Sequence, residues 1–385
     1  MTAPAVLDTP RPATAARRRV LLAPVTITPS KPLMPSHLKG LFWTDVMYRA
    51  TACLAEVDYR FSHSTYHLTE QTLAFWEFLD RTQGDTGYAE LTEDDIGSLY
   101  VRHRAAGDRV PAAALRPYAD AVEHHGWVHP AATRVLELWR GHYARLGLYD
   151  PGLLDHQPPG LGLEEALEHL RARGLCLDHR AVGGPVYLDL TRHGLPLRQI
   201  VTADGRPNYL ACALRELLPL APHYDELVFL YDRELDPDYQ LLARVLGPLG
   251  PDVHRVTVGR VPVDGRIRSA RAGGWQGLDA AALLAAAADH GEAAIRLGMR
   301  LYFIATLGPG QAQSHRPDLL RQCLGRAERL LAGAPDTAEP ALPARLGVHR
   351  RDHTYVDPYR LTTSLLGRRR PAPARDLLRE VFLCP

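Results

Sequence analysis

Lysine is almost missing from this chain. Lys31 and Lys39 are its only lysines, and every other strong cation among the 45 Lys+Arg is arginine. Such a bias points to a GC-rich genome. The two lysines that persist point to a place where the planar, forked guanidinium does not substitute, phosphate contact by a compact ammonium being one such role. Cysteine is scarce as well. Cys53, Cys176, Cys212, Cys323 and Cys384 are scattered and odd in number and form no CxxC pair. That excludes a disulfide framework or a cysteine zinc site and predicts a protein of the reducing cytoplasm. Charge of one sign is missing too: 45 Lys+Arg against 44 Asp+Glu leave a formal +1. No global basic field draws the chain to DNA or RNA. No apolar run approaches the ~20 residues that span a bilayer, so no membrane partner is expected. Positions 1–18 lack an apolar h-region and read as a disordered leader, not a secretory signal.

What is present is an ordinary globular composition, 46% hydrophobic and 23% charged over 385 residues, enough for two or three domains. Positions 19–28 are apolar and β-branched, a buried strand. A proline-rich turn over 29–40 leads into apolar residues at helical spacing over 41–54. The turn thus lies at the carboxyl end of a first strand, where open parallel sheets bind ligands. Helical periodicity then dominates 70–81, 93–106, 113–125 and 131–146. Beyond the break at Gln157-Pro158-Pro159-Gly160, strands are predicted over 186–190, 199–203, 226–231 and 254–261. They alternate with helices over 163–173, 208–218 and 237–249, followed by helices over 279–299 and 317–332. This alternation predicts an α/β fold with a doubly wound parallel sheet, a helical block inserted over 62–160, and a short helical tail.

Three segments carry a resemblance. They are Pro29-Ser30-Lys31-Pro32-Leu33-Met34-Pro35-Ser36-His37-Leu38-Lys39-Gly40, Asp204-Gly205-Arg206-Pro207-Asn208-Tyr209-Leu210, and Val258-Gly259-Arg260-Val261 running on to Asp264-Gly265-Arg266-Ile267-Arg268-Ser269-Ala270-Arg271-Ala272-Gly273. In order and spacing they resemble the His-x-Gly-His signature, the Asp-Gly-x-x-x-Tyr segment and the Lys-Met-Ser-type loop of class I aminoacyl-tRNA synthetases of the arginyl type. The match runs from about Arg19 to Gly310 and departs in places. Met34 stands for the first signature histidine, Ser36 for its glycine, and Ala270 for the loop's second lysine. Arginyl enzymes without that lysine carry one just before the histidine signature, where Lys31 stands.

The resemblance implies a Rossmann-like nucleotide-binding domain split over 19–61 and 161–310, with a mobile loop over 264–274 and a tail over 311–385. It implies an ATP-dependent ligase that adenylates a carboxylate, with Mg2+ as the counter-ion of ATP and no metal held by the protein. His37, Lys31, Arg268 and Arg271 are the implied catalytic cations. Ser36, His37, Gly40, Gly259 and Ser269 are the implied ATP contacts, and Thr28, Tyr209, Ala213 and Asp45 line the implied substrate site. Substrate choice follows by subtraction. The family's guanidinium-binding aspartate is Ala213 here, its first-strand acid aligns with Ala23, its asparagine is Thr28, and its glutamine falls near Leu235. A buried guanidinium without carboxylates is strongly disfavoured, so the expected substrate is an amino acid other than arginine, or a similar carboxylate. With little chain on either side of the matched region, tRNA is not the expected acceptor; a small molecule or carrier is. Two alternatives stay open: tRNA charging with help from a partner, and a degenerate paralogue that binds nucleotide or a partner without catalysis.

Other features carry weaker expectations. His63 and His67 have metal-ligand spacing but no carboxylate partner and are expected to pack. His124, His125 and His129 are expected on an exposed helix end. Cys212 is expected to shape the pocket without acting as a thiol nucleophile, and Arg368-Arg369-Arg370 to be a solvated tail.

Overall fold

The computed structural model describes residues 17–61, 66–107, 109–267, 273–336, 339–367 and 372–384. Its centre is a four-stranded parallel sheet in the order β2-β1-β6-β7, formed by β1 (Arg19–Pro24), β2 (Glu56–Tyr59), β6 (Glu226–Tyr231) and β7 (Asp252–Thr257). All six residues of β6 (ELVFLY) are buried, and β1 (RVLLAP) buries its four middle residues. Continuous apolar runs of this kind belong to strands covered on both faces. β2 (EVDY) and β7 (DVHRVT) are the edges and are partly exposed. The chain leaves β1 toward β2 and returns on its other side to β6. The crevice beyond the carboxyl ends of β1 and β6 is therefore a topological switch point.

Helix α1 (Pro35–Ala52) follows the β1 turn, with Pro35 pre-set for the first helical position. It is buried around most of its circumference by Leu38, Phe42, Val46 and Met47, the pattern of a core helix. Four helices then fill the insertion: α2 (Glu70–Gln83), α3 (Glu93–Ala106), α4 (Ala112–His125) and α5 (Pro130–Leu146). Thr92 and Asp95 close a reciprocal capping box at the start of α3. His129 is not on an exposed helix end. It is buried, its Nδ1 accepts the Ala131 N–H at the start of α5, and its Nε2 lies 3.1 Å from Asp80.

After α6 (Leu163–Ala172), strands β3 (Cys176–Asp178), β4 (Val186–Leu188) and β5 (Arg198–Val201) form a separate antiparallel meander. The strands expected over 186–190 and 199–203 thus do not extend the parallel sheet. With only short turns between them they can pair side by side but cannot make the long crossover that parallel pairing needs. Helix α7 (Tyr209–Leu220) starts at Asn208, whose side chain accepts the Ala211 N–H. Helix α8 (Asp236–Leu246) joins β6 to β7. The helix expected over 279–299 is two, α9 (Ala280–Ala286) and α10 (Glu292–Arg300), parted by Asp289-His290-Gly291. The chain winds on past α10 as a π-helical stretch, Leu301–Thr306, that buries Tyr302 and Phe303.

The tail contains α11 (Pro317–Ala332), α12 (Leu342–Gly347), α13 (Pro358–Ser364) and α14 (Arg375–Leu377), which runs into a π-helical turn. It closes beneath the amino end of the sheet. There the buried Glu226 carboxylate accepts the Thr354 N–H at 2.8 Å and its hydroxyl at 2.6 Å, and the Val356 N–H donates to Thr51.

Candidate active site

The crevice at the carboxyl ends of β1 and β6 receives the start of α1, the segment after β6 and the segment after β7. His37 is the third residue of α1. Its Nδ1 accepts the Met34 N–H at 3.1 Å, so the imidazole itself caps the helix. The remaining ring proton then sits on Nε2, a donor. Burial first, then the charges of Lys31 and Arg260, lower the His37 pKa from 6.5 to about 3. The ring is therefore neutral at neutral pH and stands in a positive field at a helix amino terminus, a setting suited to an anion. Lys31 is buried, with its ammonium 5.2 Å above the Tyr100 ring of α3.

Arg260 reaches the same place from the segment after β7. Its Nε donates to Asp232 at 2.9 Å, and it also pairs with Glu234 at 3.1 Å. Burial raises the Asp232 pKa and the Arg260 guanidinium opposes the rise. Ser36 Oγ accepts the Val261 N–H at 3.0 Å, pinning that segment to the start of α1. Gly259 is required by space: a Cβ there would lie 2.6 Å from the Gly310 carbonyl carbon, while its N–H donates to Pro309. Gly40 leaves open space at the crevice end of α1. Lys39, in contrast, does not face a phosphate site. It is buried and donates to the Gly310 carbonyl at 2.6 Å, and burial lowers its pKa to about 8 against the opposing pull of Asp232.

Where the signature's first histidine would stand, Met34 packs in a small apolar cluster with Trp275, Val101 and Leu278. Gly97 on α3 makes room for it, since a Cβ there would meet the Trp275 ring at 2.8 Å. Arg268, Ser269 and Arg271 lie outside the described residues.

The expected substrate residues divide. Tyr209, at the start of α7, donates its hydroxyl to the Thr26 carbonyl at 2.5 Å and stacks on Tyr66 at 4.2 Å. Thr28 is half-buried in the turn, and its carbonyl accepts the Ser30 N–H. Ala213 lines a narrow cavity with Ala23, Thr26, Arg60, Tyr66, Glu216 and other residues. Asp45 does not belong there. It lies in the interior with both oxygens committed: Oδ1 to Arg49 and the Tyr149 N–H, Oδ2 to Arg300 at 2.6 Å. Its partners make it an internal anchor and not a substrate ligand.

Sequence reasoning missed Arg60, Glu216, Asp232, Arg260 and Trp275. The charge pair Arg60–Glu216 joins residues 156 positions apart, a separation no local pattern reports. Cys212 is buried, which pushes its thiol up to about 12 and leaves no nucleophile. His67 is buried against Trp76; His63 and Arg368–Arg370 lie outside the described residues.

No family model matches the chain, and no curated protein matches it. Solved structures do. Over 97% of this chain and 80% of the other, it is similar to the arginyl-tRNA synthetase of Thermus thermophilus, with a TM-score of 0.59 and 16% identity. A second match is a putative arginyl-tRNA synthetase from Campylobacter jejuni (TM-score 0.50, 14% identity, 83% of this chain and 70% of that one). A third is the Plasmodium falciparum arginyl-tRNA synthetase (TM-score 0.52, 11% identity), of which the chain covers 58% against 84% of its own length. At these identities the likeness establishes the architecture alone: the chain has the α/β fold of these arginyl-tRNA synthetases.

Proposed function

We propose that the chain is an ATP-dependent ligase that adenylates an amino acid other than arginine, or a similar carboxylate, and hands it to a small-molecule or carrier acceptor in specialised metabolism. The observation that carries this reading is the set of cations gathered at the start of α1. Lys31 and Arg260 both bear on a neutral His37 whose Nε2–H is available as a donor. Such a set fits a polyphosphate, and ATP would supply the α-phosphate as the electrophile. His37 would donate from Nε2 to a phosphate oxygen, and Lys31 and Arg260 would stabilise the growing negative charge without first having to lose a proton. Asp232 would hold the Arg260 guanidinium in place. The α-carboxylate of the substrate would approach from the Tyr209 side, where Thr26 and Tyr209 fix the pocket wall. Among the described residues no group of three His, Cys, Asp or Glu is disposed to hold a metal; Mg2+ would enter with ATP. No described helix is long and apolar enough to cross a membrane, and five free cysteines suit the cytoplasm.

The test is amino-acid-dependent ATP–pyrophosphate exchange across a panel of amino acids. Exchange with one non-arginine amino acid is expected, dropping 10²–10³-fold in Lys31→Ala and in His37→Ala, the range seen when one oxyanion donor is removed. Exchange with arginine alone would sink the substrate assignment. A second reading is favoured by the Met34–Trp275 plug: a paralogue that binds nucleotide without chemistry. ATP binding with no exchange for any amino acid and any acceptor would select it, and exchange that appears only with tRNA and a partner protein would select the charging enzyme.

A further inference from the structure

The narrow cavity between the ends of β1 and β6 and the face of α7 has a composition that does not follow from the loss of carboxylates alone. Its floor is small, with Ala23 on β1 and Ala213 on α7, and its walls include Tyr66 and Tyr239. Within it lies one carboxylate, Glu216, one turn beyond Ala213, with a side chain only 4% exposed. A carboxylate this deep needs a cation or several donors. The chain supplies the cation itself. Arg60 follows the edge strand β2, and its N–H extends the strand pairing by donating to the Leu22 carbonyl at 2.8 Å. From there its guanidinium reaches into the cavity, Nε donating to Glu216 at 2.5 Å and Nη2 to the Pro158 carbonyl at 3.0 Å.

We propose that Arg60 is an intramolecular occupant of the pocket's guanidinium subsite, so that the pocket rejects arginine and accepts a small uncharged amino-acid side chain. The proposal rests on the ligase reading for the identity of the pocket, but not on any catalytic step. An incoming guanidinium must displace Arg60 from Glu216 and leave one of two cations without a counter-charge. An incoming acidic side chain must compete with Glu216 for the Arg60 guanidinium and set two carboxylates side by side. A small neutral side chain disturbs neither, and specificity then arises from the repulsive element as much as from the attractive one. The tyrosines add apolar contact and hydroxyl partners at the wall.

The experiment is isothermal titration of the full-length chain with L-arginine, agmatine and a series of neutral amino acids, with thermal melting in parallel. The wild type is expected to bind arginine and agmatine at least 10-fold more weakly than Arg60→Ala does. Arg60→Ala/Glu216→Gln should lose what Arg60→Ala gained. Should Arg60→Ala melt early, millimolar agmatine is expected to raise its melting temperature and leave that of the wild type unchanged. A native-like Arg60→Ala that binds arginine no better than the wild type overturns the proposal. So does a destabilised Arg60→Ala that agmatine does not rescue, or a wild type that binds arginine as tightly as the variant. Because the readout is binding, absence of pyrophosphate exchange would end the adenylation reading without touching this one.

Discussion

Two clusters of charge lie along α1, and they are balanced in opposite ways. In the interior, Asp45 is shared by Arg49 and Arg300, and every nitrogen of the Arg300 guanidinium has an acceptor: Asp45 for Nε and Nη2, and the carbonyls of Leu146, Gly147 and Arg296 for the rest. At the crevice end, Lys31 and Arg260 bear on His37, and burial first, then their two charges, hold the imidazole neutral. The inner cluster is saturated and fixes how α1, α5 and α10 pack. The outer one keeps a positive field directed at whatever enters. The same residue types serve in both places, and the difference is what they surround: in the interior a buried carboxylate shared by two guanidinium groups, at the crevice a neutral imidazole beside Lys31 and an Arg260 that Asp232 and Glu234 hold in place.

The sharpest way to break this comparison is to treat the inner cluster as though it were the outer one. Asp45→Ala leaves two buried guanidinium groups without their carboxylate and should cost about 3–5 kcal/mol of stability, measured by urea unfolding. If it instead changed substrate affinity with stability intact, Asp45 would belong to the site after all. Lys39 tests the boundary between the clusters. Its folded pKa is about 8 against 10.5 for the free side chain. Above pH 8 the native lysine is neutral while the unfolded chain keeps its proton, so the unfolded state binds more protons and stability rises with pH. Relative to Lys39→Met, the wild type should gain about 3 kcal/mol between pH 8 and 10.5. A flat difference would place Lys39 among solvated cations. The mildest test is spectroscopic. His37 should remain the neutral Nε2–H tautomer in imidazole nitrogen spectra down to pH 4, well below 6.5. Stability relative to His37→Asn should fall as pH drops from 6.5 toward 3, where only the unfolded chain takes up the proton. A His37 that titrates near 6.5 would mean that neither the burial nor the positive field acts on the ring.

The sequence made one half of this comparison legible. The central strands announce themselves because burial on both faces forces unbroken apolar runs, and the helix over 93–106 because its apolar residues recur at helical spacing. Edge strands such as Glu56–Tyr59 and Cys176–Asp178 carry no such run, since one side of each meets water. Lys31 and His37 were legible because the turn that holds them is local. Arg260, Asp232, Arg60 and Glu216 reach the crevice from elements far apart in the chain, and pairing of that kind leaves no periodic trace. Lys39 was noticed for its rarity, but rarity does not report direction, and its ammonium turns inward to a backbone carbonyl. Asp45 was misplaced for a similar reason: the partners that claim it, Tyr149 and Arg300, lie on other elements.

Glu226 has a consequence for handling the protein. The carboxylate at the amino end of β6 holds Thr354 from the tail and also lies 3.6 Å from Arg18, just ahead of β1. Both flanks of the α/β fold therefore meet at one pole, and the crevice opens at the other end of the same strand, roughly 20 Å away at about 3.3 Å per residue. A fusion partner, a surface tether or a fluorophore attached beside Arg18 or in the segment around Thr354 would sit at the far pole and leave the mouth of the crevice unobstructed.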